Sequence, residues 1–172
     1  MIVPGEKVID IACGTGALTL AMADHASHVT GIDLSEEMII TARRTARKRQ
    51  SQNISFEMLD ATDLSGYPDK SFDVAISSLA MHQFEPGTGV RVLREIKRVA
   101  RRIIIADYNC PMRPGPAAWL AYLIEYIAGG DHYRNFRQYM TNAGLNKLAA
   151  EAGLSISSQE EKGSGVFMVT IM

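Results

Sequence analysis

The sequence lacks the features that would place it in a membrane or in an oxidising compartment. No apolar run approaches the roughly 20 residues that a membrane-spanning helix needs. The first residues, Met1 to Gly5, lead directly into a strand-like segment without a signal-peptide pattern. The two cysteines, Cys13 and Cys110, do not make a disulfide framework. We therefore expect a reduced, cytoplasmic protein with no membrane span.

An excess of charge is also absent. The formal net charge of the 172 residues is −1, so the total charge does not indicate a nucleic acid or an anionic membrane as partner. A basic run at residues 43–49 falls late in a predicted helix, where cations complement the carbonyl end, and we interpret it as a solvated face. Apolar residues make up 47%, and the length suits one domain over residues 1–172.

A third glycine is missing from the most informative stretch of the chain. The apolar residues from Val8 to Ala12 run into Gly14 and Gly16, and a helical pattern follows at once. This predicts a buried parallel strand, a tight turn and a helix N-terminus that can receive a ligand. Thr19 stands where a dinucleotide fingerprint places its third glycine. The missing glycine weakens the hypothesis of a nicotinamide-dependent oxidoreductase, which stays open as an alternative.

Strand and helix patterns alternate along most of the chain. The predicted strands span residues 7–12, 28–33, 54–59, 72–77 and 102–107, and the predicted helices span residues 15–25, 35–50 and 86–100. Such alternation indicates a parallel sheet with helices on both faces. The tail differs, because residues 154–157 and 166–171 lie too close for a crossover helix and should pair as an antiparallel hairpin.

Polar residues follow the predicted strands, at the edge where open α/β sheets bind ligands. Asp33 ends the second strand, and its two oxygens suit the two hydroxyls of a ribose. Asp60 and the amide of Ala61 match the amine and the ring nitrogen of an adenine edge. Alternatives stay open, since Asp33 could cap the helix that begins near Ser35 and Asp60 could be a turn former.

These residues, in this order, resemble the class I S-adenosylmethionine (SAM)-dependent methyltransferases. Residues 67–73 are similar to the family's approach to its fourth strand, and the turn around Cys13 looks most like the ubiquinone/menaquinone-biosynthesis C-methyltransferases. The resemblance implies a doubly wound, Rossmann-like seven-stranded α/β sheet of order 3-2-1-4-5-7-6 with strand 7 antiparallel. It also implies SAM as cofactor, S-adenosylhomocysteine (SAH) as product and a small-molecule methyl acceptor. A non-catalytic SAM-binding protein of the same fold is a further alternative.

The resemblance also implies roles for single residues. Asp10 would orient the amino group of SAM, Gly14 and Gly16 would lie against its methionine part, and Asp33 would bind the ribose. Leu34 would contact the adenine face, and Asp60 and Ala61 its edge. The implied cofactor-binding set is Asp10, Ala12, Gly14, Gly16, Asp33, Leu34, Asp60, Ala61 and Ser77. No metal site is expected.

His82 is the candidate catalytic residue. It lies in the loop after the fourth strand, where the family's acceptor meets the methyl group, and an imidazole there could accept the acceptor's proton. The alternatives are a surface histidine that helps to start the next helix, and methyl transfer by positioning alone.

Residues 108–140 are predicted to be an inserted substrate lid. Few residues precede the first strand, where the family usually carries covering helices, so this segment is the internal candidate for a cover. Trp119, Tyr122, Leu123 and Tyr126 fall on one helical face before the break at Gly129 and Gly130. Packing onto the domain is the simpler interpretation of this stripe, and a lid or homodimer surface is the alternative.

Overall fold

The seven β-strands form one mixed sheet in the order β3-β2-β1-β4-β5-β7-β6 in the computed structural model, which describes residues 2–172. The strands are β1 (Lys7–Ile11), β2 (His28–Asp33), β3 (Ile54–Met58), β4 (Phe72–Ser78), β5 (Ala100–Tyr108), β6 (Ser158–Lys162) and β7 (Phe167–Ile171). β1 is parallel to β2 and β4, whereas β7 is antiparallel to β5. The predicted fold class, strand order and reversed seventh strand are confirmed.

Six α-helices accompany the strands in the part of the chain that the structure describes. They are α1 (Ala17–Met22), α2 (Glu36–Arg49), α3 (Pro86–Val99), α4 (Pro116–Ala128), α5 (Gly130–Thr141) and α6 (Gly144–Glu151). Within residues 2–172, no helix combines the length and the apolar character that crossing a membrane requires.

The ends of α2 show how local sequence defines a helix. The Ser35 hydroxyl accepts a hydrogen bond from the backbone N–H of Met38 at 3.4 Å, which satisfies one of the free donors of the first turn. Two glutamates lie in that turn and three cations in the last, so the side-chain charges complement the helix dipole at both ends.

The chain forms two compact units. The first comprises the residues through Ser78 together with Glu95–Ile103, and the second comprises Leu79–Arg94 together with Ile104–Met172. The first unit contains β1 to β4, and its core includes the cluster Leu20, Ile39, Ala42, Ala46 and Phe56. The second unit contains α4, α5, α6, β6 and β7.

The sixth strand lies later in the chain than predicted. The sequence places it at residues 154–157, but β6 spans Ser158–Lys162 and pairs antiparallel with β7. Leu154 and Ile156 are partly buried but form no strand, whereas all five residues of β6 are exposed. Because β6 ends the strand order, one of its edges has no neighbour, and charged side chains protect such an edge from unwanted pairing.

Candidate functional site

The parallel register of the first unit brings the carboxyl ends of four strands to one edge of the sheet. Ile11 of β1 pairs with Ile32 of β2 and with Ser77 of β4, and Asp33 pairs with Met58 of β3. The turn after β1 and the residues after β3 therefore share this edge. The structure brings together the predicted cofactor residues from these strand ends.

The turn after β1 is held in left-handed backbone conformations. Ala12, Gly14 and Gly16 have φ values of 56°, 53° and 77°. A Cβ on Gly16 would lie 2.6 Å from the ring of Phe56, so close packing requires this glycine. A Cβ on Gly14 would meet no atom within 4 Å, so the backbone there faces open space that a ligand can approach. Glycine is therefore required at position 16 by close packing, whereas at position 14 it leaves the backbone open to a ligand.

Asp33 ties the end of β2 to this turn. Its Oδ2 accepts the N–H of Gly14 at 2.8 Å, and its Oδ1 accepts the N–H of Ser35 at 2.9 Å. Each carboxylate oxygen has a second acceptor position, which a ribose hydroxyl can use. The side chain that caps α2 is that of Ser35, so the interpretation of Asp33 as the cap of this helix is wrong.

Asp10 is a buried carboxyl group in the middle of the site. It is 1% exposed, and its Oδ2 accepts a hydrogen bond from the Thr19 hydroxyl at 2.6 Å. Burial raises the pKa of Asp10 from 3.8 to about 7, although the Thr19 hydrogen bond opposes the shift. A ligand cation placed beside this carboxyl group would favour its ionised form. Sequence reasoning missed the role of Thr19, which it treated only as an absent glycine.

The remaining predicted residues differ in exposure. Asp60 is exposed, and its Oδ1 accepts hydrogen bonds from the N–H and the hydroxyl of Thr62, both at 2.8 Å. Leu34 is 71% exposed and offers an apolar surface to a flat ring. Ser77 is fully buried, and its hydroxyl has no hydrogen-bond partner among the described residues.

His82 lies in the second unit, inside a cluster of acids. It is 1% exposed, so the interpretation as a surface histidine is wrong. Its Nδ1 is 2.6 Å from Oδ1 of Asp107, and its Nε2 is 3.5 Å from Oε1 of Glu125. Asp107 is itself fixed, because its Oδ2 accepts the N–H of Met81 at 2.7 Å. Asp107 therefore fixes the orientation of the His82 imidazole.

Two residues of this cluster were not predicted. Asp107 is the second-last residue of β5, close to the carboxyl end of the strand, and this position was the available signal. Glu125 stands between Ile124 and Tyr126 in an otherwise apolar helix, yet it is 4% exposed. A single acid within an apolar helix was the signal for a buried functional group.

The aromatic stripe of α4 does not pack as the simpler interpretation expects. Trp119 and Tyr126 are 67% and 65% exposed. Tyr122 contacts the ring of Phe136 edge-on at a centroid distance of 5.0 Å, but it also remains partly exposed. The buried residues of α4 are Ala118, Ala121 and Glu125. The helix buries two of its alanines and its acid and leaves most of the aromatic face open.

Comparisons with known proteins agree with this geometry. Residues 8–102 match the family described as "Methyltransferase domain". The chain is 28% identical to the ubiquinone biosynthesis O-methyltransferase of Aeromonas salmonicida over 88% of this chain and 64% of that protein. It is 34% identical to the demethylmenaquinone methyltransferase of Clavibacter sepedonicus over 65% of this chain and 45% of that protein.

A solved structure shares the same fold. The PH0226 protein of Pyrococcus horikoshii OT3 superposes with a TM-score of 0.73 at 26% identity, over 97% of this chain and 81% of that one. The chain thus belongs to the methyltransferase domain family, and the predicted resemblance to the class I SAM-dependent enzymes is confirmed at that level. It spans 64% and 45% of the length of the two curated relatives named above.

Proposed function

We propose that this chain transfers a methyl group from SAM to a small-molecule acceptor. The observation that carries the proposal is the open backbone at Gly14 directly beside the fixed carboxylate of Asp33. An exposed apolar residue, Leu34, and a buried acid, Asp10, complete the set that a cationic nucleoside would need. The family membership supports the same conclusion.

The residues of the first unit hold the cofactor in this proposal. Asp33 accepts hydrogen bonds from the ribose hydroxyls, while Asp60 and Ala61 bind the adenine edge beside Leu34. Asp10 faces the ammonium group, and Gly14 lets the methionine part approach the backbone. When bound, SAM supplies a methyl group on a sulfonium sulfur. The protein contributes mainly fixed positions, which are sufficient for in-line transfer.

The acceptor must lose a proton when its lone pair forms the new bond to carbon, and His82 is the proposed proton acceptor. Asp107 at 2.6 Å from Nδ1 supports this role, because a carboxylate there stabilises the imidazolium that would form. Residues 108–140 are proposed as the substrate lid, and the exposed Trp119 and Tyr126 support an apolar contact surface there. A homodimer, a cytoplasmic location and the exclusion of nucleic acid stay parts of the proposal.

A turnover assay tests the proposal. The full chain is incubated with SAM and a panel of quinols, catechols and amines, and SAH is quantified by mass spectrometry. We expect acceptor-dependent formation of SAH that Asp33→Ala slows by about tenfold or more at limiting SAM, and that Asp24→Asn, a change at an exposed acid, leaves intact. Binding of SAH without turnover on any acceptor would favour the non-catalytic alternative. The nicotinamide-dependent alternative gains no support from the comparisons.

A further inference from the structure

The second compact unit brings together three side chains that can bind a metal ion. They are His82 in the 3-10 turn Met81–Gln83, Glu125 on α4 and His132 on α5. One ligand atom from each lies within 4.8 Å of the others. His82 and Glu125 are buried, whereas His132 is partly exposed. Three segments that are distant in sequence therefore meet at one polar point.

Three polar atoms of this cluster are not satisfied by hydrogen bonds. Nε2 of His82, Oε2 of Glu125 and Nδ1 of His132 are buried without a hydrogen-bond partner among residues 2–172. They nevertheless approach each other, with 3.5 Å from Nε2 of His82 to Oε1 of Glu125 and 3.0 Å from Nδ1 of His132 to Oε2. Buried polar atoms without partners are costly, and a cation between these three would satisfy all of them.

Neighbouring residues orient the ligands as they do around bound metals. Asp107 holds Nδ1 of His82 at 2.6 Å, which leaves Nε2 directed at the cluster. The hydroxyl of Tyr108 donates to Oε1 of Glu125 at 2.8 Å. A carboxylate on the far nitrogen of a histidine is the usual partner of a metal-bound imidazole, because it fixes the ring and raises its basicity.

We propose that His82, Glu125 and His132 form a binding site for a divalent transition metal, with Zn²⁺ as the best-matched ion. Two imidazoles and one carboxylate are a ligand set that zinc accepts, and three protein ligands leave a fourth position for water or a ligand oxygen. The site would link α4 and α5 to the turn that follows β4. It replaces the expectation from sequence that no metal is bound, and it does not depend on the proposed methyl transfer.

Metal ligation changes the role of His82. Its Nε2 cannot hold a metal ion and accept a proton from an acceptor at the same time. In a metal-bound chain, an oxygen ligand would meet the ion instead of the imidazole. A titration with metal therefore tests whether Nε2 of His82 is taken up by a metal ion.

Calorimetric titration of Zn²⁺ into the full chain, after removal of metals with a chelator, tests the site. We expect one Zn²⁺ per chain with sub-micromolar Kd. His132→Ala and Glu125→Gln should each weaken binding by about 100-fold or more, since ligand loss exceeds the 10–100-fold typical of outer partners. Tyr108→Phe removes one orienting hydroxyl and should weaken binding by about tenfold.

Matched controls make the result decisive. His25→Ala removes an exposed histidine outside the cluster and should leave the Kd unchanged. Circular dichroism establishes that each variant is folded before it is titrated. Absence of saturable Zn²⁺ binding by the native chain would overturn the proposal, and so would equal affinity in the native chain and folded Glu125→Gln or His132→Ala.

Hydrogen exchange gives a second readout that does not rely on any variant. Zn²⁺ should increase amide protection in α4 and α5, because the ion joins these helices to the turn at Met81–Gln83. The protection of α2, which carries no ligand, should not change. Stoichiometric Zn²⁺ binding that leaves α4 and α5 unprotected would place the ion elsewhere and refute the assignment.

Discussion

Asp10 offers the sharpest quantitative test of the site, because it is an acid that folding buries. The substitution Asp10→Asn keeps the size of the side chain and removes its charge. An amide oxygen at this position can still accept the hydrogen bond from Thr19, so the packing of α1 against β1 should persist. The main change is therefore the loss of one ionisable group.

The magnitude follows from the pKa of Asp10, which burial raises from 3.8 to about 7. Between pH 3.8 and about pH 7, the carboxyl group of Asp10 has lost its proton in the unfolded chain but still carries it in the folded chain. The free energy of unfolding of the native chain thus falls as pH rises, and the fall ends near pH 7. The full difference corresponds to about 4 kcal/mol. The side-chain amide of the variant does not titrate, so this contribution is absent from it.

Urea unfolding of both chains across this range measures the effect. The variant should gain stability over the native chain by about 2–3 kcal/mol between about pH 5 and pH 8. Asp24→Asn, at an exposed acid, should show no such gain. Parallel stability profiles of the native chain and Asp10→Asn would refute the buried, shifted carboxyl group. The affinity for SAH, whose ammonium group would favour the ionised carboxylate, should rise with pH through 7 only in the native chain.

Three further substitutions separate binding from packing. Asp33→Ala removes the acceptor of the Gly14 and Ser35 N–H groups, and we expect SAH binding to weaken by about 1.5–3 kcal/mol in calorimetry; an unchanged Kd would mean that the carboxylate serves only the turn. Gly16→Ala places a methyl group 2.6 Å from Phe56 and should lower the free energy of unfolding by about 2–4 kcal/mol. Gly14→Ala should lower the free energy of unfolding by only about 1–2 kcal/mol, through backbone strain, and should also reduce the affinity for SAH. Urea unfolding compares the two variants, and equal destabilisation by Gly14→Ala and Gly16→Ala would contradict the different roles of these glycines.

Much of the fold could be predicted from the sequence, because the residues that specify it act locally. The apolar strand before Gly14 and the capped helix after Ser35 depend on neighbours in the chain. The error at β6 arose because an exposed edge strand has no apolar pattern, while Leu154 and Ile156 alternate without forming a strand. Local patterns predict buried strands well and charged edge strands poorly.

The candidate cofactor residues could also be predicted from local patterns, whereas the proposed metal site of His82, Glu125 and His132 could not. Asp33 and Gly14 follow consecutive strands whose ends a parallel sheet must align. The cluster depends on a helix pair that turns Glu125 inward. A lone acid in an apolar helix indicates that the acid is buried, but it does not indicate which side chains the acid meets. The burial of Glu125 results from tertiary packing, so the proximity of Glu125 to the two histidines is seen only in the structure.

Calorimetric titration of the full chain with SAH and with NAD shows whether the strand ends of the first unit bind SAM and its product. We expect one SAH per chain with micromolar affinity and no detectable heat from NAD, because no third glycine completes a pyrophosphate site. Saturable binding of NAD by a folded chain that is silent toward SAH would contradict this expectation.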